Sequence, residues 1–231
     1  MFETIVRFFQ EGGVFMYPIA VVLVFGLAIT LERYIYLTSV KQANSKEFAR
    51  LLPLIRRREY RQALKEANGS NSAIAGILGS GLSRLVAGHK KDDIEYVMEE
   101  RLMEVLPRLE KRTQYLATLA NVATLLGLLG TIIGLIAAFT AVASADPAEK
   151  ASLLSQSISV AMNTTAFGLI SAIPLLLFHS ILQSKTNEIV DSFEMAGIKL
   201  MNLVTEGSVP ASAGATAARP LAAQAAPAAA Q

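Results

Sequence analysis

The sequence predicts an all-α membrane protein with three transmembrane helices and long cytoplasmic helical extensions. Three observations carry that expectation. Of 231 residues 52% are hydrophobic and 17% charged, with mean hydropathy +0.42. A soluble domain could reach the first figure, but not this grouping: residues 38–113 hold fifteen of the 21 Lys and Arg and ten of the 19 Asp and Glu. Three apolar blocks almost free of charge lie outside that insert, each long enough to cross a hydrocarbon layer of about 30 Å at about 1.5 Å per residue. Finally, the second and third blocks (115–143 and 157–182) carry stripes of small and hydroxyl residues. Asn121, Thr124, Gly127, Thr131, Gly134 and Ala138 recur at steps of three and four, which sets them on one helical face. Ser157, Ala161, Thr164, Thr165, Gly168, Ser171 and Ala172 form a comparable band. Small residues let helices approach closely in lipid, and hydroxyls there need a partner or water. The two bands read as the lining and seam of an assembled membrane pore.

Taken in order, residues 1–13 read as a short amphipathic interfacial helix ending at Gly12-Gly13; a removed signal peptide is not expected. Span one occupies 14–37, with Pro18 near its start and Glu32, Arg33, Tyr34 and Tyr36 forming the belt at its far boundary. The insert, 38–113, shows helical periodicity over 45–55, 59–67, 73–87 and 92–112, with breaks at Asn68-Gly69-Ser70 and Gly88-His89 and with Asp92 as cap of the last helix. That helix is expected to run straight into span two (114–143), kinked at Pro107. A short acidic link, 144–156, leads to span three (157–182), and an amphipathic extension follows over 183–206. Residues 207–231, rich in Ala and Pro, read as a disordered tail. The excess of Lys and Arg in the insert places it in the cytoplasm, the 144–156 link and the N-terminus in the periplasm, and the C-terminus inside.

Composition also excludes. The chain has no cysteine, hence no disulfide framework or thiolate metal site, and His89 and His179 lie far apart, so neither a metal site nor a cofactor is expected. A net charge of +2 without a basic patch interleaved with aromatics argues against nucleic acid. Asp92, Asp93, Glu95, Glu99, Glu100 and Glu104 read as a solvated helix face rather than a catalytic carboxylate pair, so no enzyme is expected.

Several segments together resemble the MotA/TolQ/ExbB proton-channel family, on its three-span TolQ/ExbB branch. They are Leu31-Glu32-Arg33-Tyr34, the run Leu125–Gly134 (LLGLLGTIIG), and Thr164–Pro174 (TTAFGLISAIP). The resemblance covers roughly residues 1–203. It implies a homo-pentamer in the bacterial inner membrane, its second and third helices surrounding a central pore. It also implies a dimer of a single-span ExbD/TolR-like partner inside, carrying a membrane aspartate, with a TonB/TolA-like protein as a further partner. Carried over by position, Thr131 and Thr165 match the family's pore threonines. One position departs: members commonly carry a glutamate five residues before the second threonine, and this chain has Val160, so no span holds an acid.

The implied machine is an ion-motive-force-driven motor subunit, converting ion flow into work on the cell envelope such as TonB-type outer-membrane transport. Sodium stays an alternative to protons. Its residues are Thr131, Thr165, Thr164 and Thr124 along the ion pathway, with Gly127, Gly130, Gly134, Gly168 and Pro174 packing or kinking the helices. The plainer reading of each threonine is a bond to the carbonyl one turn back. Likewise Glu32 and Arg33 read as interface anchors, His179 as structural, Asn163 as an interhelical hydrogen-bonding group and the Arg56-Arg57-Arg58 run as a topology determinant. The rival functions are an energy-independent membrane scaffold and the membrane subunit of a solute transporter. The latter usually shows internal repeats, and none is visible here.

Overall fold

The computed structural model describes residues 12–208, with side chains described through residue 205. The expected interfacial helix therefore lies outside the described residues except for its closing glycines, as does the Ala/Pro-rich tail from residue 209 on. Every regular element among the described residues is an α-helix: α1 Met16–Arg56, α2 Tyr60–Asn68, α3 Ala73–Val86, α4 Lys91–Glu110, α5 Thr113–Ser144 and α6 Lys150–Ser208. Helices α1, α5 and α6 are long and apolar enough to cross a membrane.

Two of these helices far outrun a bilayer. At about 1.5 Å per residue the 41 residues of α1 span about 60 Å and the 59 of α6 about 90 Å, against a hydrocarbon layer of about 30 Å. The sequence suggested that span one stops near residue 37 and a separate helix follows; α1 instead runs unbroken to Arg56. Nothing between residues 38 and 52 interrupts it, since that stretch holds neither Gly nor Pro. It also keeps one buried face, Leu37, Asn44, Leu51 and Ile55.

The junction into α5 differs from expectation as well. Pro107 lies within α4, and the chain breaks one turn later, at Lys111 and Arg112, where Arg112 takes the left-handed φ of 68°. Asp92 is not the cap of α4: Lys90 holds that place, and Asp92 and Asp93 sit in the first turn, where carboxylates meet the helix's free amide donors. Helix α6 starts at Lys150, so the second half of the presumed link is already helical; Pro174 lies inside it without ending it.

Close contacts fix the directions of the long helices. Gly13 lies by Val160, Gly26 by Leu175, Thr38 by Lys185 and Lys41 by Glu188, so α1 and α6 run parallel. Gly134 lies by Ala161 and Gly127 by Gly168, so α5 runs antiparallel to α6. Below the apolar segments, α2–α4 pack on the far halves of α1 and α6 around Leu51, Leu78, Leu82, Ile94, Phe193 and Leu200, each at most 1% exposed. Asn44 ties this bundle together, its Oδ1 accepting from the Ile74 amide at 3.1 Å, and Ser72 caps α3 by accepting from Ala75 at 3.3 Å. Higher up, large apolar side chains such as Phe25, Leu125, Ile136, Phe139 and Ile170 stand outward, 60% exposed or more. In a membrane protein such a surface faces lipid or other subunits.

Candidate functional site

The site is built where α5 crosses α6. A methyl added at Gly168 would sit 2.8 Å from the Ala123 carbonyl and 3.0 Å from Gly127 Cα, and one at Gly127 would sit 3.3 Å from Gly168 Cα. The two backbones therefore touch, which only glycine on both sides permits. Gly134 and Gly130 extend the seam, their open sides meeting Ala161 and Thr164.

One turn above the Gly127–Gly168 contact, the hydroxyls of Thr131 and Thr165 meet and share a hydrogen bond. Thr165 Oγ1 also reaches the Gly127 carbonyl at 3.0 Å and that of Ala161 at 3.4 Å; Thr131 Oγ1 reaches the same two carbonyls at 3.3 and 3.4 Å. Each hydroxyl has one proton to donate and lone pairs to accept with. With two carbonyls and each other as acceptors, both protons have acceptors inside the seam. Towards its open side this half-buried pair offers oxygen lone pairs, which suit a protonated acid, a water proton or a cation better than a carboxylate.

The other two threonines stand apart from this pair. Thr164, one residue along α6, turns away and is buried; its hydroxyl donates to Gly12 O at 2.6 Å or Val160 O at 2.9 Å, tying the chain ahead of α1 to α6. Thr124 lies two turns below Thr131, about 10 Å along the axis, and donates to Ala120 O at 3.1 Å. Val160, at the position where a glutamate is common, faces Gly13 rather than the threonine pair.

Sequence reasoning missed the second polar locus. Arg33 is not an exposed anchor: it is 4% exposed, donates from Nη2 to the Leu109 carbonyl, and lies 4.8 Å from the Tyr36 ring centroid. Next to it, Glu32 accepts two hydrogen bonds from Arg112 Nη1, at 2.6 and 2.7 Å. Both side chains thus clamp the break between α4 and α5 onto α1. The pairing of Glu32 and Arg33 at a span's end was visible in sequence; the left-handed turn that Arg112 makes was not. His179 has its Nε2 buried with no hydrogen-bond partner among the described residues. No cluster of His, Cys, Asp and Glu among the described residues is arranged for a metal ion.

Three apolar spanning helices, joined by a glycine seam with paired hydroxyls at its middle, define a multi-pass membrane protein with a polar locus inside its apolar layer. Residues 69–195 match the model of the MotA/TolQ/ExbB proton channel family, and the chain belongs to that family. It is 27% identical over 216 residues to a Methanothermobacter thermautotrophicus protein named as a biopolymer transport ExbB homolog, covering 90% of this chain and 75% of that one. It is 26% identical over 176 residues to a Synechocystis protein named as biopolymer transport ExbB-like 3, covering 76% and 83% respectively.

Proposed function

We propose that this chain is the pore-forming subunit of an ion-driven motor in the bacterial inner membrane, energising the transport of a biopolymer or similar work on the envelope. Membership in a proton channel family and the names of both relatives support the class. The carrying observation is the Thr131–Thr165 pair, two hydroxyls meeting in an apolar seam within reach of the Gly127 and Ala161 carbonyls. The insert faces the cytoplasm, where its Lys and Arg belong, and so do the extensions of α1 and α6; the N-terminus is periplasmic. Five copies surround the pore, and a dimer of a single-span ExbD/TolR-like protein supplies the membrane carboxylate that this chain lacks.

The energetics fit such a division. A charged carboxylate at mid-bilayer costs about 2.5–3.5 kcal/mol on insertion scales, so the partner's acid crosses dry stretches neutral. The oxygens of Thr131 and Thr165 accept its proton in a hydrogen bond, and water at the pair lets it ionise and hand the proton on. Each proton moved through 100 mV supplies about 2.3 kcal/mol, enough to bias a step from one subunit to the next. Thr124 marks the path below the pair, and Thr164 holds the wall behind it. The scaffold reading has one observation in its favour, that all four hydroxyls reach carbonyls of the bundle.

Purification together with a single-span protein bearing one membrane acid, followed by counting subunits in the particle, tests the proposal. Five copies around two partner helices are expected. An active assembly that encloses no second polypeptide would overturn it.

A further inference from the structure

Outside the seam, a groove of about 450 Å³ lies between α1 and α6, just beyond the end of their apolar segments. Its walls are the buried Leu37 and Ile189, and its rim carries Thr38, Lys41, Lys46 and Lys185. One carboxylate, Glu188, pairs with Lys41 at 2.5 Å, so three ammonium groups against one acid leave the groove at +2. Lys185 is held in place without any carboxylate: its Nζ donates to Thr38 Oγ1 at 3.0 Å and lies 3.6 Å from the Tyr34 ring centroid. A neutral hydroxyl and an aromatic face position that ammonium yet leave its charge uncompensated.

Depth names the anion. The last strongly exposed apolar side chains on this face are Ile35 of α1 and Ile181 of α6, 60% and 49% exposed, with Leu31 and Leu177 above them. Thr38 and Lys185 follow three and four residues later, about 5 Å further along the axis, and Lys41 lies about 9 Å beyond Ile35. The headgroup layer begins at the hydrocarbon edge and is about 5–7 Å thick on each side, so Lys185 and Lys41 bracket the level of lipid phosphate. Ile35, Leu31, Ile181 and Leu177 form an apolar rail directly above, suited to an acyl chain. Basic pockets between membrane helices at this level take acidic phospholipid headgroups.

We infer that the α1–α6 groove binds one anionic phospholipid per subunit, its phosphate held by Lys185 and Lys41 with Thr38, and its acyl chain lying along Ile35 and Ile181. This site stands apart from the threonine seam and needs no partner protein. The lipid bridges the first and third membrane helices, whose extensions carry the cytoplasmic bundle.

The test uses the full-length protein in detergent, alone or with its co-purified partner. It is titrated separately with dioleoylphosphatidylglycerol, dioleoylphosphatidylcholine and inorganic phosphate. Native mass spectrometry counts bound lipid per subunit and thermal unfolding reports stabilisation. One phosphatidylglycerol per subunit is expected, with a raised melting temperature that neither phosphatidylcholine nor phosphate reproduces. Lys185→Gln and Lys41→Gln each weaken retention about fivefold. Glu188→Gln, which frees Lys41, strengthens it, and this opposite-signed change keeps the test decisive if a lysine variant folds poorly. Lys90→Gln, remote from the groove, changes nothing. Equal retention of phosphatidylcholine, the same shift with phosphate alone, or indifference to Glu188→Gln would each overturn the inference.

Discussion

The two halves of this molecule are packed by opposite means. The lower bundle, where α2–α4 meet the extensions of α1 and α6, is filled with Leu, Ile and a fully buried Phe193, as a water-soluble core is. The α5–α6 seam has Gly127, Gly168, Ala123, Ala161 and paired hydroxyls at its centre, while its large apolar side chains stand outward. Water drives the first kind of packing, because burial removes apolar surface from it. Lipid gives no such drive between helices, so the second depends on close backbone contact and hydrogen bonds. Side-chain volume thus holds the lower bundle together, and backbone proximity the upper seam.

Variants can break that contrast on either side. Phe193→Ala removes the largest buried side chain of the lower bundle and is expected to cost about 3–5 kcal/mol, read as a lowered unfolding midpoint. The seam should remain closed in that variant. Since the chain has no cysteine, a Thr131→Cys/Thr165→Cys pair reports seam closure by disulfide formation, and it should still cross-link in the Phe193→Ala background. Gly168→Ala acts in the reverse direction, costing about 1–3 kcal/mol, because its methyl meets backbone that cannot move aside. Cross-linking should fall while the lower bundle's resistance to proteolysis is kept. Glu32→Gln is the mildest, at most about 1 kcal/mol, since its pair with Arg112 is half exposed. It sharpens the comparison by asking whether the α4–α5 clamp transmits strain from one half to the other. Faster hydrogen exchange confined to residues near the break is expected, with the seam unchanged.

The spans and the hydroxyl bands were legible in sequence because lipid imposes length and small residues impose periodicity. The helical extension of α6 past residue 182 was legible from its amphipathic period, whereas the unbroken run of α1 was not, since polar stretches such as 38–44 carry no sign of helix continuation except the lack of a breaker. The Arg112 turn left no local signature: Pro107 was the visible breaker, yet α4 accommodates it and the break falls on Lys111 and Arg112, the latter clamped by Glu32 of α1. Neighbouring threonines also looked equivalent. Only the helix rotation separates Thr165, which faces Thr131, from Thr164, which faces Gly12.

Proton flux in liposomes holding the subunit together with the single-span protein proposed as its partner tests the central claim most directly. Thr131→Val/Thr165→Val keeps shape and removes both hydroxyls. Flux is then expected to fall about tenfold or more, with subunit counts unchanged. Flux equal to that of the parent complex would contradict the account and leave the threonines as packing residues alone.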